Sequence, residues 1–109
     1  MNYKYGIFSE NQIASTKKYI RKQIFFLLLY VDPKTKHEYE NINVNTAFSN
    51  ILYKIGGLNE LLQSPPELVS VMSLLESARI EYNNPDFCFS VYRKLILDAG
   101  AEVMKIKEV

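Results

Sequence analysis

The chain holds one histidine and one cysteine, and that scarcity limits the chemistry open to it. His37 stands between Lys36 and Glu38. Any Ser-His-Asp or Cys-His arrangement would have to use it, yet no G-x-S-x-G turn exists to present a nucleophile. A solvated loop histidine is the expected role. Cys88 lies between Phe87 and Phe89, which predicts a packed core thiol, since burial raises a thiol's pKa and suppresses the nucleophilic thiolate. One His and one Cys cannot complete a tetrahedral zinc set without carboxylates. Glu38 and Glu40 flank His37 closely but lack further ligands at a recognised spacing. The four glycines form neither G-x-G-x-x-G nor a Walker loop. Glu67, Glu76 and Glu81 fall on the wet side of a helical wheel, so they predict a solvated face rather than an acid/base pair. No catalytic residue, metal or cofactor is expected, and the chain is not expected to be an enzyme.

One cluster has a character of its own. Ser15-Thr16-Lys17-Lys18-Tyr19-Ile20-Arg21-Lys22 places Lys17 with Arg21 and Lys18 with Lys22 at i, i+4, so four cations share a broad helical flank. They repel one another unless solvent, the acidic middle of the chain or an anionic ligand offsets them. Tyr19 adds a ring nearby, and Tyr3 and Tyr5 are further candidates. Cations interleaved with tyrosine suit a phosphate-bearing ligand or a base that stacks. The candidate anion site is therefore Lys17, Lys18, Tyr19, Arg21 and Lys22, against the plainer reading of a solvated helix face.

The second feature is Ile24 to Val31, eight residues that are apolar around the whole helix. A surface helix hides only one stripe. Either this segment is central to the domain or its outer side meets another chain. Phe25, Phe26, Leu29 and Tyr30 are the candidate anchors of such an interface, in the simplest case a homodimer. The stretch falls well short of the roughly 20 residues a membrane span needs. It also starts too far into the chain, and lacks the small-residue cleavage site, for an export signal. With a lone thiol, a cytoplasmic location and no membrane partner are expected.

These residues must be positioned by helices. At 109 residues, with 48% apolar and 23% charged side chains, the chain predicts one ordinary globular domain. Residues 1–8 read as an arm or short strand. Ser9-Glu10-Asn11-Gln12 has the S-x-x-Q form of a capping box. Behind it Ile13, Lys17, Ile20, Ile24, Leu27 and Val31 form one stripe, Lys17 its only polar member, and Asp32-Pro33 ends the helix. A competing reading makes 25–42 a hairpin, with His37 to Ile42 as its second strand. Val44, Ala47, Phe48, Ile51, Leu52 and Ile55 predict the next helix, with Asn43 as N-cap and Gly56-Gly57 as a left-handed C-cap. A short helix, Leu58 to Gln63, should follow. Ser64-Pro65-Pro66-Glu67 predicts a capping box opening a helix to about Tyr82. The last helix is expected from Asp86 to Ala99, stopping at Gly100. The tail, 101–109, is β-tolerant and could pair with the arm. The expected architecture is mainly α: four principal helices, one short helix, and a small two-stranded sheet from the termini or from 25–42.

The net charge of +1 hides an asymmetry: 1–37 carries +5, 38–90 carries −5 and 91–109 carries +1. The two large charges offset each other within the fold or across an oligomer, or the basic third meets an anionic partner. Lys, Asn, Ile and Tyr are abundant and Trp is absent, a composition of AT-rich codons that suits a low-GC bacterium or one of its phages. The favoured function is a non-catalytic interaction protein, such as a phage- or mobile-element-encoded inhibitor or adaptor acting on a host macromolecule. The alternatives are a sponge for a nucleotide or other small anion, and a nucleic-acid-binding protein using the same basic face.

Overall fold

A computed structural model describes residues 2–3, 6–7, 10–61 and 65–106, and side chains at 12, 14–60 and 65–106. The chain is mainly α, with four α-helices among the described residues: α1 (Glu10–Leu29), α2 (Val44–Leu61), α3 (Pro66–Tyr82) and α4 (Phe89–Met104). α1 packs on α2 and α4, and α3 packs on the same two, so the helices form a ring with α1 and α3 across a diagonal. The body measures 43 × 23 × 20 Å.

α1 opens one residue after Ser9, which itself lies outside the described residues. Ile20, Ile24, Leu27 and Val31 are buried as the stripe predicts, and Leu28 joins them. The helix stays continuous through the apolar stretch, so the 25–42 hairpin does not form. Its end is closed by Asp32 N–H donating to the Leu28 carbonyl at 2.9 Å and by the Thr35 hydroxyl donating to the Leu29 carbonyl at 2.7 Å. These donors answer carbonyls that a helix terminus leaves orphaned. The Asp32 carboxylate then accepts the Lys34 N–H at 2.9 Å, and Lys36–Tyr39 winds into a short 3-10 helix where the second strand was expected. His37 is exposed there.

Asn43 is the N-cap of α2: its side-chain oxygen accepts the Thr46 N–H at 3.0 Å. α2 then runs through Gly56-Gly57 to Leu61, so the glycines are not a C-cap and a separate helix from Leu58 does not begin. Neither glycine adopts a left-handed conformation. Ile55 is buried and Leu58 packs against the core beyond them, so the apolar stripe continues. Packing on that continued face offsets part of the roughly 1 kcal/mol that each glycine costs a helix.

α3 begins at Pro66, where the missing N–H costs nothing, after Pro65 in the extended conformation. The N-cap position falls on Pro65, whose side chain makes no cap bond, so the expected Ser64-x-x-Glu67 capping box is out of register by one residue; Ser64 itself lies outside the described residues. Leu68, Val71, Leu75 and Ala78 are buried, and the helix ends at Tyr82 as expected.

α4 departs most from expectation. It starts at Phe89, not Asp86, and passes Gly100 to end at Met104. Its buried stripe of Tyr92, Ile96, Ala99 and Val103 straddles the glycine, and Ile106 extends it. Core contact again overrides a weak helix breaker. Residues 101–104 are therefore helical and do not pair with the arm. The strand pairing among the described residues is local to the arm, Asn2–Tyr3 antiparallel to Gly6–Ile7.

Two polar groups lock α1 to α4. The Tyr92 hydroxyl, buried beside Phe48, donates to the Leu27 carbonyl at 2.5 Å. Burial, then the nearby Tyr82, holds its phenol well above the ordinary tyrosine range. Lys17 is 6% exposed and its ammonium donates to the Ile106 carbonyl at 2.7 Å and the Met104 carbonyl at 3.3 Å. These carbonyls close the C-terminal end of α4, where a cation is favoured.

Candidate functional site

The helical phase set by the core splits the five-residue basic cluster three ways. Lys17 points inward to the end of α4 and belongs to the fold, which corrects the expected four-cation flank. Tyr19 turns toward α2, where its hydroxyl accepts from the Lys54 ammonium at 3.0 Å and the same ammonium lies 5.4 Å from its ring centre. Lys18, Arg21 and Lys22 remain together on the α4 side of α1.

There they rim a cleft of about 450 Å³ between α1 and α4, partly open to solvent. Ile24 and Ile96, both buried, form its floor. Phe25 from α1 and Leu97, Gly100 and Ala101 from α4 complete the lining. Phe25 is 49% and Leu97 39% exposed, two neighbouring apolar side chains left partly in water. Among the described residues no acidic side chain lines the cleft. None of Lys18, Arg21 and Lys22 has a carboxylate partner among the described residues. Arg93 is exposed four residues before Leu97, on the same side of α4.

The four candidate anchors of the apolar stretch separate in the same way. Phe25 joins the cleft. Phe26 and Tyr30 stack at 6.0 Å on the other side of α1, and Tyr39 meets both edge-on, at 6.4 and 5.1 Å. Burial, then Tyr39, raises the Tyr30 phenol above its usual range. Leu29 is half-buried. The 3-10 helix thus supplies, through Tyr39, much of what was to be covered by another chain.

A second cleft, about 290 Å³, lies between α1 and α2 and is lined by amides: Gln23, Asn41, Asn43 and Asn50 around Tyr30 and Ile51. Asn43 is already spent on the α2 cap. Cys88 is exposed ahead of α4, not packed as expected. Its thiol is 3.2 Å from the Ser90 hydroxyl, and that hydrogen bond leads the effects that lower its pKa. Glu81 is not simply a solvated carboxylate, because it accepts the Cys88 N–H at 2.8 Å and joins α3 to the start of α4. Among the described residues no three His, Cys, Asp or Glu side chains are grouped to hold a metal, and no helix is long and apolar enough to cross a membrane.

Sequence reasoning found the α1 wall of the cleft and missed the α4 wall. Leu97, Gly100 and Ala101 do carry a signal: they stand at i, i+3, i+4, out of phase with the core stripe. No family model, curated protein or solved structure matches the chain.

Proposed function

We propose that this protein is a non-catalytic interaction module and that the α1/α4 cleft is its contact surface on another protein. The observation that carries the reading is the pairing of exposed Phe25 and Leu97 with three cations that have no carboxylate partner among the described residues. Protein contacts are built this way, with an aromatic anchor at the centre and charge at the rim setting partner choice and encounter rate. The separation of Lys17 and Tyr19 from the other cations weighs against a nucleotide sponge or a nucleic-acid face, because it removes one charge and the stacking ring from the pocket.

An inhibitor or small adaptor of a phage or other mobile element, acting on a host macromolecule in the cytoplasm, is the setting we favour. The AT-rich coding composition supports the source, and an exposed free thiol at Cys88 suits a reducing compartment. Self-association is the second reading. It rests on Phe25, since Phe26 and Tyr30 are engaged with Tyr39.

Affinity capture with the wild-type chain and with Phe25→Glu tests the proposal. A partner should be retained by the first and lost by the second, which places a charge in a contact that must be dry. Equal capture by both, with Phe25→Glu still folded, would move the contact surface elsewhere.

A further inference from the structure

We infer that the occupant of the α1/α4 cleft is an acidic amphipathic helix of the partner protein, an inference that rests on reading the cleft as a protein-contact surface. Charge selects the sign. Lys18, Arg21 and Lys22 are exposed, share one rim, and face no carboxylate on the cleft lining. Their stems cover apolar surface while their heads stay in water. An occupant carrying carboxylates relieves their mutual repulsion and gains charge-assisted hydrogen bonds, whereas a neutral or basic one only desolvates them.

The centre of the cleft selects an amphipathic occupant. Ile24 and Ile96 lie beneath Phe25 and Leu97, and a phosphate backbone has nothing to bury against them. The shape selects a helix. From Lys18 to Phe25 the α1 wall spans about 10 Å, two helical turns. The cleft is partly open to solvent, and Gly100 and Ala101 leave the α4 wall without bulk. A Cβ built at Gly100 would meet no atom within 4 Å. That hollow takes an apolar anchor from above. A helix laid in a groove presents such anchors at i, i+3 or i+4, and i+7. Carboxylates one turn apart on its flank match Lys18 and Lys22, themselves one turn apart on α1.

The test is a selection that does not presuppose the partner. Random peptides of about 15 residues, four helical turns, are displayed and selected on the chain. Enriched sequences should carry apolar residues at helical spacing flanked by Asp or Glu, and their synthetic forms should gain helicity on binding. Binding should weaken by about tenfold or more toward Gly100→Leu, which fills the hollow, and toward the double variant Lys18→Glu/Lys22→Glu. The charge reversal sits at exposed positions, so it keeps the test valid if Gly100→Leu fails to fold. Failure to enrich any peptide overturns the inference. So does enrichment of basic, uncharged or extended sequences, or of acidic helices that bind the charge-reversed chain equally well. A dimer that is lost in Phe25→Glu would assign the cleft to a second copy and overturn it too. A partner cross-linked from position 97 through a segment that is not an acidic helix leaves the contact surface standing and removes only this inference.

Discussion

Lys17 shows how much one buried side chain can decide. As the only polar member of an apolar stripe it could be read inward or, by its spacing to Arg21, outward. The carbonyls of Met104 and Ile106 settle the matter, because a helix end without donors leaves orphaned acceptors. Lys17→Met keeps the stem but strips both carbonyls of a charged donor, and should cost about 1–3 kcal/mol in urea unfolding. Lys22→Gln, on the exposed rim, should stay within about 0.5 kcal/mol of wild type. Equal stabilities for the two variants would contradict the separation of structural from surface cations. Tyr92 makes the pH-dependent case. Its phenol titrates above the ordinary value of 10.0 when folded, so the unfolded chain loses that proton first as pH rises. Stability from this group is therefore complete below about pH 10 and falls above it. Tyr92→Phe should be less stable at neutral pH and lose less stability between pH 9 and 11, by chemical denaturation at both ends of that range. At Cys88 the Ser90 hydroxyl favours the thiolate, so a thiol reagent should label the folded protein readily, with a pH midpoint below that of an ordinary thiol. Ser90→Ala should move that midpoint up. Labelling only in denaturant would restore the packed thiol that the flanking phenylalanines suggest.

Elements with an uninterrupted stripe were legible: the core faces of α1, α2 and α3, the Asn43 cap and the end of α3 at Tyr82 all follow from spacing. Ends that depend on glycine were not. Gly56-Gly57 and Gly100 read locally as stops, but Leu58 and Val103 lie beyond them on core faces, and packing there offsets the helical cost of glycine. Cys88 was misplaced for a related reason: the chain restarts at Phe89, because Glu81 caps the turn rather than Asp86 opening the helix. The same balance gives a prediction. Gly57 is exposed, not left-handed, and open around its would-be Cβ. Gly57→Ala should raise the urea midpoint by the equivalent of about 0.5–1 kcal/mol. A lowered midpoint would mean that the glycine is held for its backbone, against α2 as one continuous helix.

At the scale of the molecule, the cleft exists because α1 and α4 are neighbours in the ring, which no single stripe reveals. Its α1 wall was legible as a basic cluster beside an apolar stretch, and its α4 wall was not, since a site spanning two helices depends on which helices pair. The ring also sets α1 and α3 on a diagonal, and Lys18, Arg21 and Lys22 face α4 across a cleft that no acidic side chain lines among the described residues. The basic rim therefore stays available for a partner. Loss of capture with rising salt should be modest, because exposed charge pairs contribute less than about 1 kcal/mol each and the apolar centre carries the rest. The most direct measurement is photo-cross-linking in cells that encode the protein, from a reactive residue at position 97 in the cleft and, as control, at position 53, where Tyr53 is 85% exposed on α2. A discrete partner adduct is expected from position 97 and none from position 53. An adduct from position 53 alone would place the contact on the opposite helix and contradict the cleft as the contact surface.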